Sequence, residues 1–370
     1  MPPSISSPTL LQGLQVIQLG DGLAAAVCGR LFADVGADVG VIDADGSTPL
    51  VQHLNDRKAG VTRDAIAGAD LIICQGGPQQ LREQQCDAAT LRRLNPTAAV
   101  VVILPFGQSG PDADRPATDL TLFYASGIAR MLTGQVDDLA EAPIRAVGEQ
   151  SAFIGVIAAA CAGMHAVMAG EPAIVDVSIQ EALATIALTE LARAGLSGKS
   201  WSRKRLNDGN GATVCILPAR DGYAAISPRD DHQWAAWLGV MGSPKWGSEP
   251  RFRTKPDRVA NWDALHALMS EWSCHHDKQA IADMAQEAHV PSFPLREPAE
   301  QLLSPQLEHR HFWRKLNTGG QRLRAPGLPF GVHLNRHSGA PRSGEPGTHI
   351  PEAGVLGFRV RPFRPSRNDR

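Results

Sequence analysis

The residues best placed to handle a phosphate or a proton are few. Gly20-Asp21-Gly22-Leu23-Ala24-Ala25 follows a short apolar run and opens a helical pattern, as G-x-G-x-x-[GA] does in dinucleotide-binding folds. Asp43 follows where such folds place a ribose-binding acid. Asp21, however, would present like charge to a pyrophosphate, which favours a plain strand–helix turn over a nicotinamide site. Cys274-His275-His276, and His309 with His311, lack carboxylate or thiolate partners at zinc spacing, so no metal is expected. Neither a G-x-S-x-G elbow nor an H-E-x-x-H pair is present. The last 35 residues carry seven Arg against three acidic residues among many Gly and Pro, the composition of a solvated, extended tail.

The elements that must position these residues are read from apolar periodicity. Val16-Ile17-Gln18-Leu19 is a short strand, Leu23, Val27, Leu31 and Val35 recur at helical spacing, Gly36 stops that helix, and Val39 to Asp43 is the next strand. This βαβ unit predicts an α/β domain with a parallel sheet. Leu71 to Cys74, Val100 to Leu104 and Ile174 to Val177 repeat the strand signal. Gln150 to Met168, dense in Ala, Ile and Val, predicts a buried helix, and Gln180 to Ala194 a further one. Ser, Lys, Arg, Asn and Gly cluster from Gly195 through Ala212, as in a linker. Beyond it, Tyr223, Trp234, Trp237, Trp246, Trp262 and Trp272 accompany short amphipathic helices in a smaller α+β domain.

Composition excludes some functions. With 36 Lys+Arg against 38 Asp+Glu, the net charge of -2 speaks against a nucleic-acid binder with a broad basic face. The six cysteines are scattered without a C-x-x-C pair, so free thiols in a reducing compartment are expected. The first residues lack the charged start and apolar run of a signal peptide, and no run of 18 apolar residues occurs, which predicts a cytoplasmic protein without a membrane partner.

Several segments occur in a fixed order: Leu31 to Val39 (LFADVGADV), Leu54 to Lys58 (LNDRK), Ala69 to Ile73 (ADLII), Leu91 to Pro96 (LRRLNP) and Phe106 to Pro111 (FGQSGP). Ala117-Thr118-Asp119-Leu120, Ala125-Ser126-Gly127, Val175-Asp176-Val177-Ser178, Asp221-Gly222-Tyr223, Arg258-Val259-Ala260-Asn261, Val290-Pro291 and Ser304 to Leu307 follow. As an ordered set, over residues 12 to 335, they closely resemble the class III CoA-transferases. This CaiB/BaiF family includes formyl-CoA and carnitine CoA-transferases and the related alpha-methylacyl-CoA racemases.

The resemblance implies a Rossmann-like large domain from residues 1–200 and 301–335 and a small α+β domain from 201–300. It leaves 336–370 as the tail and implies two chains interlocked in a dimer. Coenzyme A, as acyl-CoA a substrate rather than a bound cofactor, would lie against Gly22, Leu23, Ala24 and Ala25 and against Gln75, Gly76 and Gly77, where glycines leave backbone N–H groups free to face phosphates. The family's nucleophile is an Asp just before the Ala-rich helix, and here that stretch, Ala146 to Gly155, holds no Asp. Two registers are open: one puts Glu149 at that position, the other Ala152. The racemases carry a His where this chain has Thr118, which disfavours racemisation. The family's Lys after the second strand is missing, and its glycine loop shrinks to Asp208-Gly209-Asn210-Gly211. The implied function is transfer of CoA between an acyl-CoA and a free carboxylic acid, by a homodimer or by a heteromer with a paralogous family member in which this chain is the subunit without the nucleophile. The other reading is an inactive acyl-CoA-binding or assembly protein on the same fold.

Overall fold

The computed structural model describes residues 10–20, 22–43, 48–129, 146–197, 213–318 and 320–331. Asp21, the Asp208–Gly211 loop and the tail of 336–370 lie outside the described residues. Two compact units divide the described residues: those within 10–129, 146–192 and 311–331 form one, and those within 193–310 the other.

In the first unit, β1 (Gln15–Leu19), α1 (Leu23–Asp34), β2 (Asp38–Ile42), α2 (Pro49–Asn55) and the two-residue β3 (Ala59–Gly60) follow in order. A 3-10 turn at Arg63–Gly68 leads to β4 (Leu71–Gln75), α3 (Pro78–Glu83), α4 (Ala88–Leu94), β5 (Ala99–Leu104) and α5 (Asp119–Ala125). Next come α6 (Gln150–Ala169), β6 (Ile174–Ser178), α7 (Ile179–Ile186) and α8 (Leu188–Ser197), of which residues 188–192 belong to this unit. The six strands are all parallel, in the order β3-β2-β1-β4-β5-β6. A parallel sheet is covered on both faces, which is why β4 and β5 read as continuous apolar runs and not as alternating ones. Leu71, Ile73, Val101 and Ile103 pack toward α1 and α6, while Ile72, Cys74, Val100, Val102 and Leu104 face Ile66, Leu81 and Leu91 on the other side.

Two expectations need correction. The helix expected over Gln180–Ala194 is broken at Ala187, because the Thr185 hydroxyl bonds the Ala182 carbonyl and the Ala187 N–H falls back to Ala184. Helix α6 is buried on one face only: Ser151, Gly155, Val156, Ala159 and Val167 are inside, whereas Ile157 and Met168 are 62% and 68% exposed. Its residues are apolar all round, so composition alone could not tell a one-sided contact from a two-sided one. It is also long and apolar enough to cross a membrane by length and composition.

The second unit is built on an antiparallel sheet, β7 (Cys215–Ala219), β8 (Gly222–Ile226) and β9 (Ser292–Pro294), the last closing beyond α9 (Asp231–Val240), α10 (Lys255–Ala260), α11 (Trp262–Ser273) and α12 (Lys278–Glu287). Trp234, Trp237, Phe252, Leu265 and Met269 fill its core. Arg258, 1% exposed, pairs with Asp231 at 2.7 Å and lies over the Trp234 ring. Short helices α13 (Pro298–Gln301) and α14 (Pro305–His309) follow. The chain then returns to the first unit as a hairpin, β10 (Trp313–Thr318) and β11 (Gln321–Pro326), whose Arg314 binds Asp34 and Asp56 at 2.6 and 3.0 Å. All six cysteines are free.

One buried side chain ties the turn before β4 to the start of β5. The Asn95 amide donates to the carbonyls of Ile66 and Ala69 at 2.8 and 2.9 Å and accepts from the N–H groups of Thr97 and Ala98 at 3.0 Å. Asn95→Ala takes these partners from the buried Ala69 carbonyl and Ala98 N–H, at a cost of about 3 kcal/mol. The urea midpoint should fall with an unchanged slope, and an unshifted midpoint would contradict this role.

Candidate functional site

In an open parallel sheet, ligands bind beyond the carboxyl ends of the strands, where the strand order reverses. Here the chain leaves β1 toward β2 on one side and returns to β4 on the other. The turns after β1 and β4 therefore flank the reversal point, and they carry Gly22–Ala25 and Gln75–Gly77.

A cavity of about 550 Å³ opens at this edge. Leu23, Gln75, Gly76 and Gly77 line it from the two turns, Pro105 and Ile179 from the ends of β5 and β6, Asp119 from the start of α5, and Glu149 and Ala152 from the start of α6. The structure thus brings Leu23, the Gln75–Gly77 turn and Glu149 together. Gly22, Ala24 and Ala25 are not on the wall; Ala24 and Ala25 are fully buried beneath it. Both registers for the nucleophile end in the same cavity, one helical turn apart, and of the two positions only Glu149 offers a carboxylate.

The two turns are fastened to each other. Gly22, the cap of α1, has no side chain to hold the first-turn N–H groups, and the Gln75 amide oxygen takes the Ala25 N–H instead, at 3.0 Å. A Cβ on Gly22 would stand 2.6 Å from that oxygen, so the contact requires glycine. The Ala25 N–H is therefore occupied from within the chain and unavailable to a phosphate.

Helix α6 shows the same device. Its cap residue, Glu149, makes no capping bond. The cap comes from Asp119, whose carboxylate accepts from the N–H groups of Ser151 and Ala152 at 2.7 and 3.2 Å, while the Ser151 hydroxyl donates to the Asp119 carbonyl at 2.8 Å. A carboxylate at this end of a 20-residue helix satisfies orphan donors and meets the positive end of the dipole. Asp119 itself begins α5, where Thr118 accepts from the Thr121 N–H, so the local sequence explains α5 and not the reach to α6.

Of the four carboxylates lining the cavity, Asp114 accepts from the Gln79 N–H and pairs with Arg82, and Glu83 accepts from the Gln79 amide. With Asp119 on α6, Glu149 is the fourth, exposed to the cavity, its carboxylate without a hydrogen bond or ion pair to the described residues. Sequence reasoning missed Asp114 and the capping role of Asp119. The Ala117-Thr118-Asp119-Leu120 motif marked the place, but a contact across 32 residues leaves no local pattern. Asp176, within another quoted motif, accepts from the Gln108 N–H and steadies the loop beyond β5.

A second cavity, of about 800 Å³, lies farther along the same edge, against Asp43, Asn55, Lys58, Gly60 and Thr62. Among the described residues, no three His, Cys, Asp or Glu side chains converge as metal ligands would.

Comparison with known proteins gives this geometry a family. The chain is 23% identical to the succinate–glutarate CoA-transferase of Agrobacterium fabrum, across 81% of this chain and 83% of that one. It is 26% identical to the BbsE subunit of succinyl-CoA:(R)-benzylsuccinate CoA-transferase from Thauera aromatica, across 90% of this chain and 91% of the relative. Its fold matches that of a CAIB/BAIF family protein from Brucella suis with a TM-score of 0.77 at 23% identity, over 89% of this chain and 93% of the other. The model of CoA-transferase family III matches residues 53–348, and the chain belongs to that family.

Proposed function

We propose that this protein moves coenzyme A from an acyl-CoA to a free carboxylic acid, with Glu149 as the carboxylate that carries the CoA in between. The observation that supports this most is the Glu149 side chain, free of capping duty, on the wall of the cavity that also holds the Gln75–Gly77 turn. The Glu149 carboxylate attacks the thioester carbonyl, the C–S bond breaks, and a mixed anhydride and CoA thiolate result. The thiolate attacks the Glu149 carbonyl and releases the first acid, leaving an enzyme–CoA thioester. The second acid repeats the two steps in reverse order, and Glu149 returns to a carboxylate. Asp119 takes the Ser151 and Ala152 N–H groups, which leaves the Gln150 N–H as the first-turn donor for a developing oxyanion.

Two of the named relatives act with succinate or succinyl-CoA by name, so succinyl-CoA is the donor to try first. The BbsE relative is named as a subunit, which supports assembly of this chain with itself or with a paralogous family member. The exposed apolar side chains of Phe153, Ile157 and Met168 on α6 and of Leu188 and Leu191 on α8 supply a surface for such a contact.

Incubation with succinyl-CoA should add the mass of one CoA less water. Borohydride should fix the adduct as a glutamyl alcohol at Glu149, and Glu149→Gln should abolish both. Acyl-CoA binding with no adduct and no exchange would favour the inactive binding protein. Asp119→Ala should lower α6 stability by about 1 kcal/mol and slow CoA exchange by roughly 10- to 100-fold through misplacement of Glu149; an unchanged exchange rate would contradict the positioning. Sedimentation of the purified protein should give a multiple of the 39.5 kDa chain mass, reduced to a single chain by Ile157→Glu; a monomeric parent would remove self-assembly and leave only a heteromer with a paralogous family member.

A further inference from the structure

Beneath α1 lies a polar relay that the transfer chemistry does not use. Gln18, on β1 and 0% exposed, donates from its amide nitrogen to the Gly20 carbonyl at 2.9 Å, inside the turn that precedes α1. Its amide oxygen accepts from the Lys58 ammonium at 2.6 Å. Lys58 donates further to the Ala26 carbonyl in α1 at 2.7 Å and to the Asn55 side chain at 3.1 Å, so its three N–H bonds meet three acceptors. Space has been cleared for this pair at a cost in helix propensity. Gly29 stands within α1, where glycine costs about 1 kcal/mol relative to alanine, and a Cβ there would lie 2.7 Å from the Gln18 oxygen and 3.3 Å from the Lys58 nitrogen.

The geometry points to Lys58 as a positioning residue for the turn between β1 and α1. Through Gln18 it fixes the Gly20 carbonyl, and through Ala26 the first turn of α1, so that Leu23 keeps its place on the cavity wall. The relevance of this clamp to catalysis rests on the CoA-transferase reading; the clamp itself does not.

The clamp is also pH-sensitive. Burial, and then the nearby Arg30 guanidinium, push the Lys58 pKa down from 10.5 to about 7, against the smaller opposing effects of Cys28 and Asp34. Arg30 pairs in turn with Asp34 and Asp56, which Arg314 of β10 also binds and beside which His53 of α2 lies, and Asp43 shares the wall of the second cavity with Lys58. Below about pH 7 the ammonium satisfies all three acceptors. Above it, the neutral amine has two N–H bonds for three acceptors, and one is released. The turn is therefore held tighter on the acid side.

Amide hydrogen exchange, corrected for its intrinsic pH dependence, tests this on the whole protein. With Lys58→Met, the amides of Gly20 to Ala26 should exchange about tenfold faster than in the parent at about pH 6, and within about threefold of it at about pH 8.5. Strand β5 should be unaffected at both. Gln18→Met, which cuts the relay while leaving Lys58 in place, should loosen the same amides and remove the pH dependence. Equal exchange in parent and variants, or a ratio that does not change with pH, overturns the proposal. Calorimetric titration with free coenzyme A separates the two claims. Binding to the parent about fivefold tighter than to either variant at about pH 6 supports both. Faster exchange in the variants with no CoA binding by the parent keeps the clamp and rejects the CoA reading.

Discussion

The N-terminal end of α6 imposes the central constraint on this site. A 20-residue helix presents unsatisfied N–H groups and a positive dipole end at its start, and a neighbouring carboxylate normally closes such an end. The nearest carboxylate in sequence is Glu149, the cap residue itself. Asp119 takes the role from another helix, and Glu149 is left to face the cavity. One carboxylate holds the helix, and a second is left uncommitted on the cavity wall. The proposed anhydride chemistry depends on this division between the two.

The same economy recurs at the turns beside the strand reversal. Gln75 replaces the missing cap of α1, and Gln18 with Lys58 supports the turn from below. Both contacts depend on glycines whose absent Cβ atoms make room, Gly22 for Gln75 and Gly29 for Gln18. Rigid turns on a fully covered parallel sheet place backbone groups with little reorganisation on binding, which suits transfer steps in which charge develops at a carbonyl oxygen. The near-neutral net charge of the chain is no guide to a phosphate site, because a few local backbone N–H groups can meet a phosphate without a broad basic face.

Much of the sheet was legible in the sequence. Strands such as Val100–Leu104 are continuous apolar runs bounded by Gly or Pro, and the βαβ unit fixed their parallel sense. Helix α6 was legible as an element but not in its burial, since Ile157 and Met168 carry the same apolar signal as Val156 and Ala159. The break at Ala187 was hidden because Thr185 acts on the backbone only once the helix exists. The resemblance pointed to the two turns and to the start of α6, which line one cavity, but not to a register: a run of Ala, Gly and Ile has no internal ruler. The cavity holds both Glu149 and Ala152, and of the two only Glu149 carries a carboxylate. Asp119 as a cap could not be seen, because the contact joins residues 32 apart that no local periodicity relates.

A crystal structure with coenzyme A bound tests the central claim most directly, because it reports which side chain the sulfur faces. The sulfur should lie within about 4 Å of the Glu149 carboxylate, with the pantetheine arm passing the Gln75–Gly77 turn and Asp119 still on the Ser151 and Ala152 N–H groups. A sulfur beside Ala152 with no carboxylate in reach, or a coenzyme bound away from this cavity, would contradict it.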